Sequence, residues 1–300
     1  MNVLSLFDGM SCGQIALNRI GIKPKNYYAS EIDKYAIKVT QTNYPDTIQL
    51  GDVTAWREWD IDWSSIYLLI GGSPCQGFSF AGEQLAFDDP RSKLFFMYVD
   101  ILNHIRSVNP NIKFMFENVK MKKEYLDVIS EQLGVQPVFI NSALVSAQNR
   151  QRYYWASWEF GQPEDKRAVL ADILEDGFVD REKAYCIDSC YHKGGNPEQY
   201  FNKSRRQLVF ILQRGRGFHK GGVKVIDGKT PILSSSSWQH NNHLTDGVSY
   251  RKLTPVECER LQTVPDNYTA HVSNTQRYKM LGNGWTVDVI AHIFKGIESA

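Results

Sequence analysis

Cysteine is scarce in this 300-residue chain, which has only five: Cys12, Cys75, Cys186, Cys190 and Cys258. An odd and scattered set does not suit a disulfide framework, and it favours a reducing compartment. Cys186, Cys190 and His192 lie near one another in sequence, but they lack the CxxC spacing and the fourth ligand of a zinc site. No metal site is therefore expected.

Long hydrophobic runs are also missing, and so is a surplus of either charge. No apolar run approaches the roughly 20 residues that span a bilayer, and the N-terminus lacks the basic region and cleavage site of a signal peptide. The chain has 34 Lys and Arg against 33 Asp and Glu, a balance that neither indicates nor excludes nucleic-acid binding. With 42% hydrophobic and 22% charged residues, we expect a soluble, globular protein of the cytoplasm.

The sequence contains no GxGxxG and no GxxxxGK[ST] stretch, so neither a dinucleotide nor a phosphate-binding loop is predicted. What it has instead is three short predicted strands that end in a glycine turn or an acid: Asp8-Gly9 with Gly13, then Glu31, then Asp52. A strand, a glycine turn and a helix begin a nucleotide-binding α/β fold, and an acid after the second strand can accept hydrogen bonds from a ribose diol. The pattern suggests an adenosyl cofactor, although such turns also serve plain βα connections and such acids also cap helices.

The most informative stretch begins with the apolar run 66–70, which predicts a buried parallel strand. The segment Gly71-Gly72-Ser73-Pro74 stops this strand and turns the chain, and Cys75 follows at once. A doubly wound sheet has its ligand crevice at this position. A thiol there is placed for nucleophilic attack, provided that it ionises. The alternative is a small cysteine buried in the core.

Two further segments carry polar side chains at the predicted ligand edge. Glu117 and Asn118 end a buried strand, where a partly desolvated glutamate can be held protonated and can donate a proton. Gln148, Arg150 and Arg152 alternate along an extended segment, which places them on one face. The two arginines are suited to a base carbonyl, a phosphate or the thiol loop, and the alternative is solvated charge.

The string Gly-Gly-Ser-Pro-Cys-Gln-Gly-Phe-Ser at 71–79 resembles the catalytic loop of the DNA cytosine-5 methyltransferases, of bacterial or phage type. The resemblance covers most of the chain and keeps the family's motif order. It implies an α/β, Rossmann-like methyltransferase domain with a mostly parallel sheet, which binds S-adenosyl-L-methionine. The implied cofactor-binding residues are Phe7, Asp8, Gly9, Gly13, Glu31, Ile32, Asp52, Val53, Pro74, Asn283 and Trp285.

The resemblance also implies a reaction. A methyl group would pass to C5 of a cytosine flipped out of duplex DNA, through a covalent bond between the enzyme and cytosine C6. The implied catalytic residues are Cys75 as nucleophile, Glu117 as proton donor, Asn118 beside it, Arg150 as a brace for the Cys75 loop and Arg152 on the base carbonyl. The alternatives are the same chemistry on RNA or a free pyrimidine nucleotide, and an inactive DNA-binding paralogue.

Some positions depart from the bacterial pattern. Ser11 and Cys12 stand where bacterial members usually carry glycines, and Gly284-Trp285 replaces a small residue and valine. Both features resemble the eukaryotic de novo subgroup, whereas Asn283 is typical of prokaryotic or viral members.

The resemblance further implies two domains. Residues 1–165 with 273–300 would form the catalytic domain, and 166–272 a smaller, irregular target-recognition domain across a DNA-sized cleft. Within the second domain, 213–222 interleaves basic residues with glycine and an aromatic, which suits phosphate contact, or else forms a flexible charged loop. The expected partner is double-stranded DNA, bound by a monomer, with a restriction endonuclease as a candidate second partner.

Overall fold

The computed structural model of the chain describes residues 1–74, 93–212, 214–216, 219–221 and 248–297. Its centre is a seven-stranded sheet made of β1 (Asn2–Leu6), β2 (Asn26–Ser30), β3 (Ile48–Gln49), β4 (Ile66–Gly71), β5 (Lys113–Val119), β6 (Val138–Asn141) and β7 (Gln151–Ala156). The strand order is β3-β2-β1-β4-β5-β7-β6. The five strands β1 to β5 are parallel, and β7 runs antiparallel to both β5 and β6. This sheet confirms the predicted α/β class.

Helices cover both faces of the sheet. They are α1 (Cys12–Arg19), α2 (Lys34–Asn43), α3 (Lys93–Val108), α4 (Lys123–Leu133), α5 (Pro197–Lys203), α6 (Pro255–Leu261), α7 (Asn274–Asn283) and α8 (Val287–Phe294). Strands buried on both sides favour apolar residues on both faces, which is why β4 is an apolar run and β1 is apolar apart from Asn2 and Ser5. Val3 packs into the core on one face and Leu4 into the core on the other.

The order of connections locates the ligand crevice. The chain builds β1, β2 and β3 outward in one direction, and then crosses to the other side of β1 to form β4. The two connections that leave β1 and β4 therefore diverge, and a crevice opens at the carboxyl ends of these strands. The last helix, α8, returns to pack against α1, so the C-terminal part of the chain also reaches this edge.

Three predicted elements are shorter than expected. The apolar patterns at 48–53 and 138–144 predict strands over these ranges, whereas β3 ends at Gln49 and β6 at Asn141. In the residues that follow, the side chains of Asp52 and Asn141 accept hydrogen bonds from Thr54 N at 2.9 Å and Ala143 N at 3.1 Å. Each side chain thereby caps a 3₁₀ turn, a local alternative to strand pairing. The family resemblance implies one closing helix near 273–300, but this segment divides into α7 and α8 around Trp285.

The rest of the described chain adds two antiparallel ladders. These pair β8 (Leu208–Leu212) with β11 (Val248–Lys252), and β9 (Arg214–Arg216) with β10 (His219–Gly221). Leu170, Val209 and Leu253 belong to the same buried cluster as Val3, so the hydrophobic core is continuous across residue 165. The division into two domains stays a prediction. Within the described ranges, no helix is both long enough and apolar enough to cross a membrane.

Candidate active site

A cavity of about 570 Å³ lies at the carboxyl edge of the sheet, within the size range of small-molecule sites. Its wall combines the ends of β1, β2, β4 and β5 with the start of β7 and the α7–α8 junction. Among the predicted site residues, those that line it are Phe7, Asp8, Gly9, Glu31, Ile32, Asp52, Val53, Pro74, Glu117, Asn118, Arg150, Arg152, Asn283 and Trp285. Cys75 lies outside the described residues, and Pro74 immediately before it is on the wall.

Gly13 differs from the other predicted cofactor contacts, because it does not line this cavity. It lies in α1 against the sheet, where an added Cβ would stand 2.5 Å from Ile70 Cδ1 and 2.7 Å from Tyr27 Oη. A glycine is needed there for close packing of helix on sheet, the function of the third glycine in dinucleotide-binding turns.

The turn after β1 is held in an unusual backbone conformation. Phe7, Gly9 and Ser11 all have left-handed φ values, of 57°, 60° and 65°, which cost a residue with a side chain about 1–3 kcal/mol. The turn is anchored by Glu31, whose Oε2 accepts a hydrogen bond from Gly9 N at 2.8 Å. The left-handed φ of Ser11 explains why glycine is usual at this position in the sequences that this chain resembles.

Asp8 contributes a buried carboxylate to the cavity wall. Its Oδ1 accepts a hydrogen bond from Tyr27 Oη at 2.8 Å, whereas its Oδ2 is buried and has no hydrogen-bond partner among the described residues. Burial raises the pKa of Asp8 to about 6, and the nearby carboxylate of Glu31 adds to this effect. A buried carboxylate oxygen without a partner suits an ammonium group, and an ammonium is one end of an adenosylmethionine molecule.

The neighbouring wall suits the other end of the same molecule. Glu31 Oε1 accepts from Ile32 N and Asp33 N, both at 2.8 Å. With Gly9 N on Oε2, three of the roughly four acceptor sites of the carboxylate are used, which leaves one for a hydroxyl of a ribose diol. Ile32 is 74% exposed at the cavity mouth, which provides an apolar surface for a flat base. These residues fit an adenosyl cofactor.

Glu117 is the acid at the end of β5, and it is only 9% exposed. Its Oε1 lies 2.8 Å from Arg152 Nε, and its Oε2 accepts a hydrogen bond from Trp285 Nε1 at 3.1 Å. The sheet register explains the first contact: Arg152 pairs with Val119, two residues beyond Glu117 and therefore on the same face. The acid, the arginine and the indole thus form one cluster.

Asn118 is almost fully buried beside this cluster. Its Oδ1 accepts from Val119 N at 2.8 Å, but its Nδ2 has no hydrogen-bond partner among the described residues. An unsatisfied buried donor costs about 1–3 kcal/mol, so an acceptor on a bound ligand would stabilise this amide.

Arg150 makes different contacts from its predicted neighbour Arg152. Its Nη1 donates to Cys186 Sγ at 3.3 Å and to Ile187 O at 3.2 Å, and its Nη2 to Gly282 O at 3.1 Å and Gly284 O at 2.8 Å. This guanidinium ties the segment at 186–187 to the α7–α8 junction. Its predicted brace of the Cys75 loop stays a prediction, because residues 75–92 lie outside those described.

The predicted common face of the polar triplet holds only in part. Gln148 Nε2 donates to Leu261 O at 2.8 Å and to Gln262 Oε1 at 2.9 Å, so it joins the buried network around Gly284 rather than the acid. Of the three side chains, Arg152 alone contacts Glu117. The reason is that β7 begins only at Gln151, so strand alternation does not extend back to Gln148.

Lys279 lines the cavity and was not predicted. Its Nζ lies 2.8 Å from Asp33 Oδ2, which links α7 to the start of α2. Burial alone would raise the pKa of Asp33, but the hydrogen bond and charge of Lys279, together with backbone N–H groups at Tyr35 and Ala36, lower that pKa. No motif marks Lys279, because an exposed lysine on a helix is typical of solvated charge.

The described part of the chain contains no group of three or more His, Cys, Asp or Glu side chains placed to hold a metal. Two members of the weak zinc pattern have other contacts. Cys186 receives the hydrogen bond from Arg150, and the His192 ring nitrogen Nδ1 lies 3.1 Å from Ser189 O.

Comparisons with known proteins agree with this site. A family model described as "C-5 cytosine-specific DNA methylase" matches residues 1–299. The chain is 30% identical to the type II methyltransferase M1.ScrFI of Lactococcus lactis subsp. cremoris, over 96% of this chain and 75% of that protein. It is 27% identical to the type II methyltransferase M.HhaI of Haemophilus parahaemolyticus, over 100% and 95%.

Among solved structures, the Entamoeba histolytica methyltransferase EhMeth shares the fold, with a TM-score of 0.66 at 17% identity over 100% of this chain and 98% of that one. The family model spans nearly the whole chain, and the predicted motif residues converge on one cavity at the switch point of the sheet. The chain therefore belongs to the C-5 cytosine-specific DNA methylase family.

Proposed function

We propose that this enzyme transfers a methyl group to C5 of a cytosine flipped out of duplex DNA, through a covalent bond between Cys75 and cytosine C6. Enzymes of this family use S-adenosylmethionine as the methyl donor. The observation that supports the proposal most is the cluster of Glu117, Arg152 and Trp285. It lies on the same cavity as the acids Asp8 and Glu31.

The cofactor half of the cavity is assigned to residues near β1 and β2. Asp8 would receive the α-ammonium, Glu31 the ribose diol, and Ile32 one face of the adenine. When bound there, S-adenosylmethionine supplies an electrophilic methyl group. The left-handed turn at Gly9 brings backbone close to this ligand without a side chain in the way.

Cytosine C5 is a poor nucleophile and lies inside the base stack. Extrusion of the base costs a few kcal/mol, which contacts in the cavity must offset. Arg152 has N–H donors directed at the acid and is placed to bind the base carbonyl. Asn118 Nδ2, buried and without a partner among the described residues, provides a further donor.

The residues of this chain then activate C5. The Cys75 thiolate forms a bond to C6, the C5=C6 π electrons move to make a C4=C5 double bond, and the C4=N3 π electrons move to N3. N3 takes a proton from Glu117, so negative charge does not build up on the ring. After methylation of C5, the N3 proton returns to Glu117. A base then removes the C5 proton, and the C6–S bond breaks to restore the thiolate.

The test uses purified protein, S-adenosylmethionine and a DNA duplex with 5-fluorocytosine in random contexts. Fluorine at C5 cannot be removed as a proton is, so the enzyme should remain joined to the DNA through Cys75. We expect an adduct that survives denaturant and is absent in Cys75→Ala. An unfluorinated duplex is the control, and it should be methylated and released.

Two outcomes would overturn the proposal. Binding of DNA with neither adduct nor methylation would indicate the inactive DNA-binding paralogue. An adduct formed only with 5-fluorocytosine RNA or with the free nucleotide would move the same chemistry to those substrates.

The context of the enzyme follows from its relatives. The relatives M1.ScrFI and M.HhaI are named type II methyltransferases. We therefore include as a partner a restriction endonuclease that cuts the DNA sequence methylated by this enzyme. We assign the enzyme to the cytoplasm as a monomer on DNA, with 166–272 as the recognition domain. Sequencing of the trapped DNA would identify the recognised sequence, and a cognate endonuclease should fail to cut DNA methylated by this enzyme.

A further inference from the structure

The carboxylate of Glu117 is held at both oxygens by two different donors. Arg152 Nε lies 2.8 Å from Oε1, and Trp285 Nε1 donates to Oε2 at 3.1 Å. Both oxygens thus act as acceptors in this state, but an acid that donates to a base must carry its proton on one of them. The two contacts therefore decide which oxygen that is.

The backbone on both sides of Trp285 is held by buried hydrogen bonds. The carbonyl oxygen of Gly284, next to Trp285, accepts hydrogen bonds from Arg150 Nη2 at 2.8 Å and Gln262 Nε2 at 3.1 Å. On the other side, Thr286 Oγ1 donates to Gln262 Oε1 at 2.9 Å. Buried polar side chains thus fix the backbone on both sides of the indole.

The other wall of the carboxylate is a glycine. An added Cβ at Gly72 would stand 2.7 Å from Glu117 Oε2 and 3.2 Å from Trp285 Nε1. The absence of a side chain at Gly72, just after β4, therefore lets the carboxylate and the indole N–H meet. This space lies just before Pro74, at the end of the strand that leads to Cys75.

The two donors also differ in whether they can leave the carboxylate oxygen that they bind. Arg152 has five N–H groups, and in the proposed reaction it would turn from Oε1 toward the base carbonyl, which would free Oε1. An indole N–H is a donor only, so it stabilises Oε2 as an acceptor and cannot accept a proton from it. Because Oε2 remains a hydrogen-bond acceptor for the indole, the proton of the acid is carried by Oε1.

We propose that Trp285 is a positioning residue for the proton donor: its indole N–H holds Glu117 Oε2, so that Oε1 carries the proton and faces cytosine N3. The assignment rests on the proposed function of Glu117. It gives Trp285 a role toward the acid, separate from the cofactor contact expected from the sequence.

The test is a double-substitution cycle on the rate of adduct formation with 5-fluorocytosine DNA. Trp285→Phe keeps an aromatic ring and removes the N–H. In the native background we expect adduct formation to slow about 10-fold or more, because the lost hydrogen bond would have stabilised the carboxylate charge that develops on Glu117 as its proton passes to N3. In a Glu117→Ala background the same substitution should change the rate less than about 2-fold, because no carboxylate remains to be positioned.

Cofactor affinity and folding are measured on the same variants. The dissociation constant for S-adenosylmethionine separates a cofactor contact from action through Glu117. Replacement of Trp285 by benzothienylalanine keeps the shape of the indole, removes only the N–H, and should slow addition as Phe does. Trp63→Phe is the matched control, because Trp63 packs beside Trp56 and Trp59 away from the cavity, and its rate should not change.

Equal slowing by Trp285→Phe in both backgrounds, or no slowing in the native background, would overturn this assignment. Unchanged addition with benzothienylalanine would do so as well. Failure of the proposed function is a separate result, because the unsubstituted enzyme would then form no adduct at all.

Discussion

At the scale of single residues, the site contains groups whose surroundings work against stability. Asp8 is the clearest case, because its Oδ2 is buried with no hydrogen-bond partner among the described residues. A residue kept in this state is typical of a ligand site, where the missing partner arrives with the ligand. The chemistry of Asp8 therefore leads to a prediction about stability as well as binding.

Asp8→Asn should stabilise the cofactor-free protein at neutral pH. The folded-state pKa of Asp8 is about 6, above its ordinary value of 3.8, so its contribution to stability is present below about pH 4 and is lost as pH rises through 6. Asparagine cannot ionise, so it avoids this loss. We expect the free energy of unfolding at pH 7.5 to rise by up to about 3 kcal/mol, measured by urea denaturation.

The gain from Asp8→Asn should shrink as the pH is lowered toward 4.5, because Asp8 in the folded native protein is then largely protonated and neutral. The exposed Asp60→Asn is the control and should show no such pH dependence. The same Asp8→Asn protein should bind S-adenosylmethionine about 10-fold more weakly, since a charged hydrogen bond is lost. A stability equal to that of the native protein at both pH values would contradict this account of Asp8.

At the scale of elements, close approach between α7 and a neighbouring segment depends on one glycine. An added Cβ at Gly282 would stand 2.2 Å from the carbonyl carbon of Asp188 and 2.4 Å from Ser189 N. Backbone atoms cannot swing aside as a flexible side chain can. At Gly282 the helix therefore has no side chain between its backbone and the 188–189 segment. This contact lies next to the carbonyls that Arg150 binds.

Gly282→Ala should destabilise the protein by about 1–3 kcal/mol through overpacking. In an ordinary helix a Gly→Ala substitution stabilises the protein by about 1 kcal/mol. The sign of the change in the free energy of unfolding therefore tests the contact. Thermal and urea unfolding would measure it. Thr275→Ala, at an exposed position of the same helix, is the control and should stay within about 0.5 kcal/mol of the native protein. Stabilisation by Gly282→Ala would contradict the close approach.

At the scale of the whole molecule, one buried guanidinium joins distant parts of the chain. Arg150 is 3% exposed, and it donates to carbonyls at Ile187, Gly282 and Gly284. It thereby connects the segment predicted for recognition, the C-terminal helices and the edge of the sheet. The planar fork of arginine reaches several acceptors at once, which a lysine ammonium cannot do.

Arg150→Lys should therefore lower the free energy of unfolding by about 2 kcal/mol or more, since buried carbonyls would lose their donors. Urea denaturation would measure the loss, and the exposed Arg205→Lys would control for the chemical change. We also expect faster proteolysis near 186–187 in Arg150→Lys, because that segment loses its tie to α7. Native stability in Arg150→Lys would show that the hydrogen bonds of Arg150 contribute little.

Much of the fold and site was predictable from local pattern. The apolar runs of β1, β4 and β5 are long enough to mark buried strands, and the acids and glycines that follow them mark the carboxyl edge. Gly13, predicted to contact the cofactor, packs closely against Ile70 in the structure, and sequence alone does not distinguish a glycine needed for packing from one needed for a ligand. The strand predicted to 144 ended at Asn141, because its side chain caps a turn that periodicity does not reveal.

The sequence by itself determined the class of sheet, the position of the crevice and the set of polar residues at its edge, because burial pattern and strand ends are local properties. Only the tertiary structure decided that Arg152 contacts Glu117 whereas Arg150 binds carbonyls at 187, 282 and 284. It also decided that Trp285, 168 residues after Glu117, supplies the N–H to that acid. The reason is that such contacts depend on strand register and on the return of the chain to the sheet, and no local window of sequence contains both partners.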